Sequence, residues 1–185
     1  MSKWASALIV VAAVGCSAAV QAPQPTPCDQ ACRDATALRS VREMMKLMYN
    51  LTLQGRPVGT QDARGPCPLG GTAHVFGTAT SDAAQGSTVV MLTYVLDHCA
   101  YMAQDTDPTQ TYDVTVTGTI QEEGTLAVQP SSTTAVDIAC PSIDISGTVE
   151  DPPVGYQASG CALLAGQNGS KLSGTICGRP AGLSL

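Results

Sequence analysis

Cysteine and histidine are the residue types whose spacing in this sequence could support chemistry. Cys28 and Cys32 are four residues apart, and His74 or His98 could complete a metal site with them. Inside a regular helix the two Cβ atoms would lie about 6 Å apart, too far for a disulfide. Either each cysteine joins a separate disulfide, or the helix begins after Cys28. No second cysteine or histidine pair has zinc-site spacing, so the sequence predicts no metal site.

Catalytic motifs are also missing from the sequence. It contains no Gly-x-Ser-x-Gly elbow, phosphate-binding loop, His-Glu-x-x-His or dinucleotide fingerprint. Glu122 and Glu123 are adjacent carboxylates, but neighbouring residues of a strand face opposite ways. The turn-like "QEEG" predicts that both lie in a solvated hairpin. We therefore expect no catalytic residue and no cofactor.

The first residues predict export. Lys3 precedes an uncharged apolar run from Ala5 to Val14, which is typical of a signal peptide. The run is shorter than the roughly 20 apolar residues that a membrane-spanning helix needs. The expected signal peptide covers residues 1–15.

The residues "AVGC" at 13–16 resemble the lipobox of bacterial lipoproteins, in which the cysteine is acylated and becomes the new N-terminus. The resemblance implies that Cys16 carries a lipid and that residues 16–27 form a proline-containing tether to a membrane. Ser17 is not the aspartate that marks retention at the inner membrane. The implied location is therefore an outer-membrane lipoprotein facing the periplasm or the cell surface. The alternative is cleavage after "VQA", residues 20–22, which would release a soluble secreted protein.

The remaining chain, residues 28–185, is predicted to form one exported domain, and its charge and cysteine content indicate its partners and disulfides. The full sequence has a net charge of −6, and an acidic surface argues against a nucleic-acid partner. The expected partner is the membrane, through the lipid, while a protein or small-molecule partner is left open. Exported chains form disulfides, so the cysteines beyond Cys16 predict three disulfides and one free thiol. The candidates are Cys28, Cys32, Cys67, Cys99, Cys140, Cys161 and Cys177.

The residues from about 29 to 54 are predicted to form an amphipathic helix. Thr26 is the expected N-cap, and Gly55 is the expected left-handed closing residue. We expect the apolar stripe to pack on its own domain; the alternative is a membrane surface or a partner. The stripe contains Leu38, Val41, Met45 and Met48, and the charged side is assigned Arg39, Arg42, Glu43 and Lys46.

From about residue 72 to 177 the apolar residues alternate with polar ones, as in half-buried strands. Residues 88–96 are apolar on both sides and predict a central strand covered on both faces. A repeated Gly-Thr pair places four glycines on the apolar face, where they could admit the helix or allow sharp curvature; the alternative is that they end strands. The predicted fold is mainly β, with a curved antiparallel meander or partial barrel packed on one long N-terminal helix and stapled by disulfides. The four glycines are Gly77, Gly118, Gly147 and Gly174.

Three functions are compatible with this pattern. The first is a cell-envelope lipoprotein of unknown activity whose domain is a non-catalytic binding or structural module. The second is a carrier that encloses a small apolar ligand in its curved sheet. The third is a secreted hydrolase, which would need His74 or His98 beside a nucleophile and an acid.

Overall fold

The computed structural model describes residues 27–82, 86–127 and 133–185. These residues form one α-helix, a short 3₁₀ turn and eight strands. The helix α1 is Gln30–Leu53, and the 3₁₀ turn is Pro108–Gln110. The strands are β1 Gly59–Pro66, β2 Thr72–Asp82, β3 Ser87–Ala103, β4 Tyr112–Ala127, β5 Ala135–Val149, β6 Val154–Asn168, β7 Lys171–Ile176 and β8 Arg179–Ser184.

The ends of α1 follow from their capping residues. Asp29 is the N-cap, because its side chain accepts a hydrogen bond from the backbone N–H of Cys32. Cys28 therefore precedes the helix, which agrees with the alternative that the helix begins after Cys28. The predicted N-cap, Thr26, lies outside the described residues. Beyond the last turn Gly55 has a φ of +79°, the left-handed conformation that ends many helices.

The strands form one antiparallel sheet in sequence order, from β1 to β8. Strands β1 and β8 are its two edges and do not pair with each other in the described part of the chain. The helix contacts β8 and β1 as well as several strands between them, so the sheet curves around α1 as an open trough. The predicted mainly-β class and antiparallel meander packed on the helix are confirmed. The sheet extends beyond the predicted range of 72–177, because β1 precedes it and β8 follows it.

The core lies between the helix and the concave face of the sheet. Inward residues of β2 to β5, such as Val75, Leu92, Val116 and Ile145, are fully buried or nearly so. The helix side of the core consists of large side chains with almost no exposed surface: Leu38, Val41, Met44, Met45 and Met48.

The convex face of the sheet is less covered than the sequence predicts. Val89 is 50% exposed and Met91 is 60% exposed, although the apolar run 88–96 predicts a strand covered on both faces. That expectation is wrong, because α1 covers the concave face only.

The glycines of the Gly-Thr repeat lie within β2, β4, β5 and β7. A Cβ added to Gly77 or Gly147 would overlap a carbonyl oxygen of an adjacent strand. Their φ angles are +134° and +149°, values that residues with a side chain rarely adopt. At all four positions the three nearest atoms belong to an adjacent strand and not to the helix. The role in curvature therefore accounts for these glycines better than the close approach of the helix. The two glycines of the repeat not named above are Gly118 and Gly174.

Among the residues that the structure describes, the cysteines form three disulfides and leave one free thiol, as predicted. The pairs are Cys28–Cys32, Cys67–Cys99 and Cys161–Cys177, and the free thiol is the buried Cys140. The alternative that Cys28 and Cys32 join separate disulfides is wrong. They pair because α1 begins at Gln30, so the helical Cβ separation does not apply to Cys28.

Candidate functional site

A cavity of about 530 Å³ opens between the C-terminal half of α1 and the concave face of the sheet. Its walls come from α1, the segment that follows the helix, β1 to β4, β6, the residue that precedes β5 and the residue that follows β8. The buried charged side chains of Arg42 and Glu122 form the part of the lining called the floor here, and apolar side chains line the wall. Polar lining residues include Arg42, Tyr49, Tyr94, Glu122 and Gln167, and apolar ones include Leu53, Ala79 and Leu126.

Glu122 forms part of the cavity floor. It is only 1% exposed, because it lies on the concave face of β4 directly opposite Leu92 of β3 and Ile138 of β5. The prediction that Glu122 occupies a solvated hairpin is wrong. Glu123 does lie on the other face and is exposed, in agreement with the alternation of a strand.

Arg42 is the positive partner of Glu122. Its side chain is only 8% exposed, and its Nη1 lies 3.7 Å from Glu122 Oε1. Its Nε donates a hydrogen bond of 2.5 Å to Gln167 Oε1 on β6. The sequence places Arg42 on the charged side of the helix, but the sheet curves far enough to bury it.

The two oxygens of Glu122 have different surroundings. Oε2 accepts a 2.7 Å hydrogen bond from the hydroxyl of Tyr94, whereas Oε1 is buried without a hydrogen-bond partner among the described residues. Burial raises the pKa of Glu122 above its usual range, although Arg42 and Tyr94 act to lower it. Burial and the charge of Glu122 also raise the pKa of Tyr94.

The charges around the cavity are largely paired. Lys46 lies at the rim with 60% of its side chain exposed, and its Nζ is 3.6 Å from Glu43 Oε2. Arg56, in the segment after the helix, is exposed and donates to the backbone oxygen of Asp62. The site therefore has a buried ion pair in its floor and solvated charges at its edge.

A second ionic cluster, in which only the carboxylate is fully buried, holds the other end of α1. Arg179 of β8 donates through Nε and Nη2 to both oxygens of Asp34, at 2.7 and 2.9 Å. Tyr156 and Gln30 donate to the same carboxylate. Burial acts to raise the pKa of Asp34, but these hydrogen bonds outweigh it and the pKa is lowered. Every oxygen of Asp34 is satisfied, so this cluster joins elements and offers no ligand site.

The histidines lie outside the cavity. His74 Nε2 is 2.8 Å from Asp62 Oδ1 on β1, and His98 Nδ1 is 2.6 Å from the carboxylate of its neighbour Asp97. Neither residue lines the cavity. The sulfur atoms of Cys28 and Cys32, and a carboxylate oxygen of Glu150, fall within 4.8 Å of one another, but the two sulfurs are bonded to each other and offer no thiolate.

The sequence analysis missed the burial of three charged residues, Asp34, Arg42 and Glu122, although the sequence pattern indicates it for each of them. Arg42 is four residues after Leu38 and three before Met45, which places it beside the apolar stripe. Asp34 is four residues before Leu38. Continuing the alternation of β4 beyond Ile120 puts Glu122 on the concave face. The proposed lipidation residue, Cys16, lies outside the described residues.

Comparisons with known proteins add no functional information. No protein-family model matches the chain, and neither the curated proteins nor the solved structures show a significant similarity to it. Among the described residues, none of the helical segments is both long enough and apolar enough to cross a bilayer. The cavity and the N-terminal sequence are therefore the features that bear on function.

Proposed function

We propose that this chain is a lipoprotein of a bacterial cell envelope, anchored through Cys16, whose domain carries a small amphipathic molecule without catalysing a reaction. The observation that carries the proposal is the cavity of about 530 Å³ beside α1. Its volume lies in the range of roughly 300–1,000 Å³ that is usual for small-molecule sites.

The lining of the cavity supports a carrier of an amphipathic ligand rather than of a purely apolar one. Leu53 and Ala79 offer apolar surface, while Arg42 and Glu122 place a polar floor below it. No histidine adjoins this floor among the lining residues, so the cavity does not favour a hydrolase.

The sequence and the disulfides support the proposed location. The "AVGC" segment at 13–16 resembles a lipobox, and three disulfides are consistent with an exported domain. The residues between Cys16 and Cys28 provide a polar, proline-containing tether, which would hold the domain away from the bilayer.

The anchor is tested by labelling with a clickable fatty acid in a bacterium that processes lipoproteins. The wild type should be labelled and Cys16→Ser should not. Cys140→Ser is the matched control, because it removes the free thiol of the domain and should be labelled like the wild type. Equal labelling of Cys16→Ser and the wild type would overturn the anchor.

The carrier function is tested with N-phenyl-1-naphthylamine, an uncharged dye that fluoresces in apolar surroundings. The wild type should bind it saturably, and Ala79→Phe should lose binding because the new ring occupies the cavity. Thr78→Phe is the control, since Thr78 lies on the opposite, exposed face of β2. Both variants are first checked for cooperative unfolding.

Two results would contradict the carrier function. One is the absence of saturable dye binding to the wild type. The other is equal dye binding by the wild type and a folded Ala79→Phe variant. Organic extraction of protein purified from its own host, followed by mass spectrometry, should in addition release a small amphipathic molecule.

A further inference from the structure

The floor of the cavity contains an ion pair whose hydrogen bond is not made. Arg42 Nη1 and Glu122 Oε1 are 3.7 Å apart, beyond the 2.7–3.2 Å that is usual for an N–H···O bond. Glu122 Oε1 has no other partner among the described residues. A buried carboxylate oxygen that lacks a hydrogen-bond donor is energetically unfavourable. The floor therefore has an unused acceptor directly beside a guanidinium donor.

We propose that the ligand has an uncharged head group that both donates and accepts hydrogen bonds, a hydroxyl or a primary amide, and that this group bridges Glu122 Oε1 and Arg42 Nη1. The inference rests on the proposed carrier function. The head group donates its hydrogen to Glu122 and accepts one from Arg42. Its apolar body extends along Leu53 and Leu126 towards the rim.

The charge balance of the floor selects against an ionised head group. Arg42 and Glu122 already compensate each other, and both are more than nine-tenths buried. A carboxylate placed between them would face Glu122, and an ammonium group would face Arg42. Either ion would add an uncompensated charge in a poorly solvated site, which is expensive. A hydroxyl or amide adds no charge and satisfies both partners.

The short distance between Arg42 Nη1 and Glu122 Oε1 also favours a small head group. Glu122 Oε1 is closed to water, so the head group reaches it only when a floor side chain rotates. Arg42 is held there by its hydrogen bond to Gln167 and by the long contact to Glu122. A hydroxyl oxygen placed between Nη1 and Oε1 would bring both within hydrogen-bond range, because 3.7 Å is less than twice a normal bond length.

The test compares five probes with the same ten-carbon chain, each displacing N-phenyl-1-naphthylamine from the wild type. The probes are 1-decanol, decanamide, decyl methyl ether, decanoate and decylammonium. We expect decanol and decanamide to bind at least about tenfold more tightly than the ether, which accepts a hydrogen bond but cannot donate one to the carboxylate. Decanoate and decylammonium should bind more weakly than decanol at pH 7.

A paired variant assigns the preference to the floor. Arg42→Met combined with Glu122→Leu replaces the ion pair by apolar side chains of similar size, a change that proteins often tolerate. In this variant decanol and the ether should bind equally. Glu123→Leu is the control, because Glu123 lies on the exposed face of the same strand, and it should retain the wild-type preference. The probe series on the wild type needs no variant and decides the question if the double variant does not fold.

The possible results separate the inference from the function on which it rests. If neither the dye nor any probe binds the wild type, the carrier function and the inference both fail. If the dye and the probes bind but decanol and the ether have equal affinities, the carrier function stands and the inference is overturned. Tighter binding of decanoate or decylammonium than of decanol would overturn it in the same way.

Discussion

At the scale of single residues, the charged side chains inside the trough depend on one another. Arg42 contacts Glu122, and Tyr94 donates to the same carboxylate. Each of these groups is almost completely removed from water. Removing one partner therefore leaves a buried charge without compensation, which typically costs more than the pair contributes.

We expect a strong coupling between Arg42 and Glu122 in unfolding experiments. Arg42→Met and Glu122→Leu should each lower the free energy of unfolding by about 3 kcal/mol, because each leaves one buried charge unpaired. The double variant should be clearly more stable than the sum of the two effects implies. Urea unfolding of the four proteins at pH 7 measures this double-mutant cycle. Strictly additive effects would show that the two side chains do not form a functional pair.

At the scale of the elements, α1 is attached to an edge strand by a specific ionic contact. Asp34 in the second turn of α1 binds Arg179 at the start of β8, 145 residues later in the sequence. In the described part of the chain β8 pairs with β7 alone, and α1 contacts β8 as well. The contact therefore adds to the pairing with β7 that holds this six-residue edge strand in place.

Asp34→Asn should weaken the attachment of α1 to β8 in a pH-dependent way. The pKa of Asp34 is lowered from its ordinary value of 3.8, so the folded state favours the ionised form. Its contribution is complete above pH 3.8 and is lost as the pH falls through the lowered folded-state pKa. Arg179 is 42% exposed, so we expect a loss of only about 1–2 kcal/mol at pH 7.

Urea unfolding of the wild type and Asp34→Asn between pH 2 and pH 7 measures this contribution. The two stability curves should converge at the acidic end. A difference that stays constant over the whole range would mean that the carboxylate charge is not responsible. Asp113→Asn serves as the control, because Asp113 is exposed on the outer face of β4 and should leave stability almost unchanged.

The curvature of the sheet gives a second prediction at this scale. Gly147→Ala should lower the free energy of unfolding by about 2 kcal/mol or more, because its φ of +149° is unfavourable for alanine. The added Cβ would also overlap the carbonyl oxygen of Asp113. Gly155→Ala is the matched control, because Gly155 has open space around it and an ordinary φ. Equal unfolding midpoints in urea for the two variants would argue against a conformational role for Gly147.

At the scale of the whole molecule, the sequence predicts the fold much better than the site. The stripe of α1 and the alternation within β4 and β5 are long, regular patterns, and together with the repeated glycines they indicate a curved sheet on a helix. Strands β1 and β8 have the sequences "GTQDARGP" and "RPAGLS", which lack such an alternation and form strands through pairing and helix contact. The same limitation hides the site, because Arg42 becomes buried only through contacts such as that with Gln167, 125 residues away.

The disulfides stabilise the whole molecule by lowering the conformational entropy of the unfolded chain. Their contributions to the free energy of unfolding should increase with the sequence separation of the paired cysteines. The separations are 32 residues for Cys67–Cys99, 16 for Cys161–Cys177 and 4 for Cys28–Cys32. Loss of chain entropy predicts contributions of about 4, 3 and 2 kcal/mol respectively. Replacement of each pair by alanine, followed by urea unfolding under identical conditions, measures them.

The order of the three contributions is more informative than their absolute size. Cys67 and Cys99 are also buried, so their replacement by alanine loses packing in addition to the cross-link and should cost the most. Cys28 and Cys32 lie just before and within the first turn of α1, and their replacement should cost the least. If the Cys28–Cys32 variant were instead the least stable, this disulfide would have to fix the start of α1, and with it the position of Asp34 against β8.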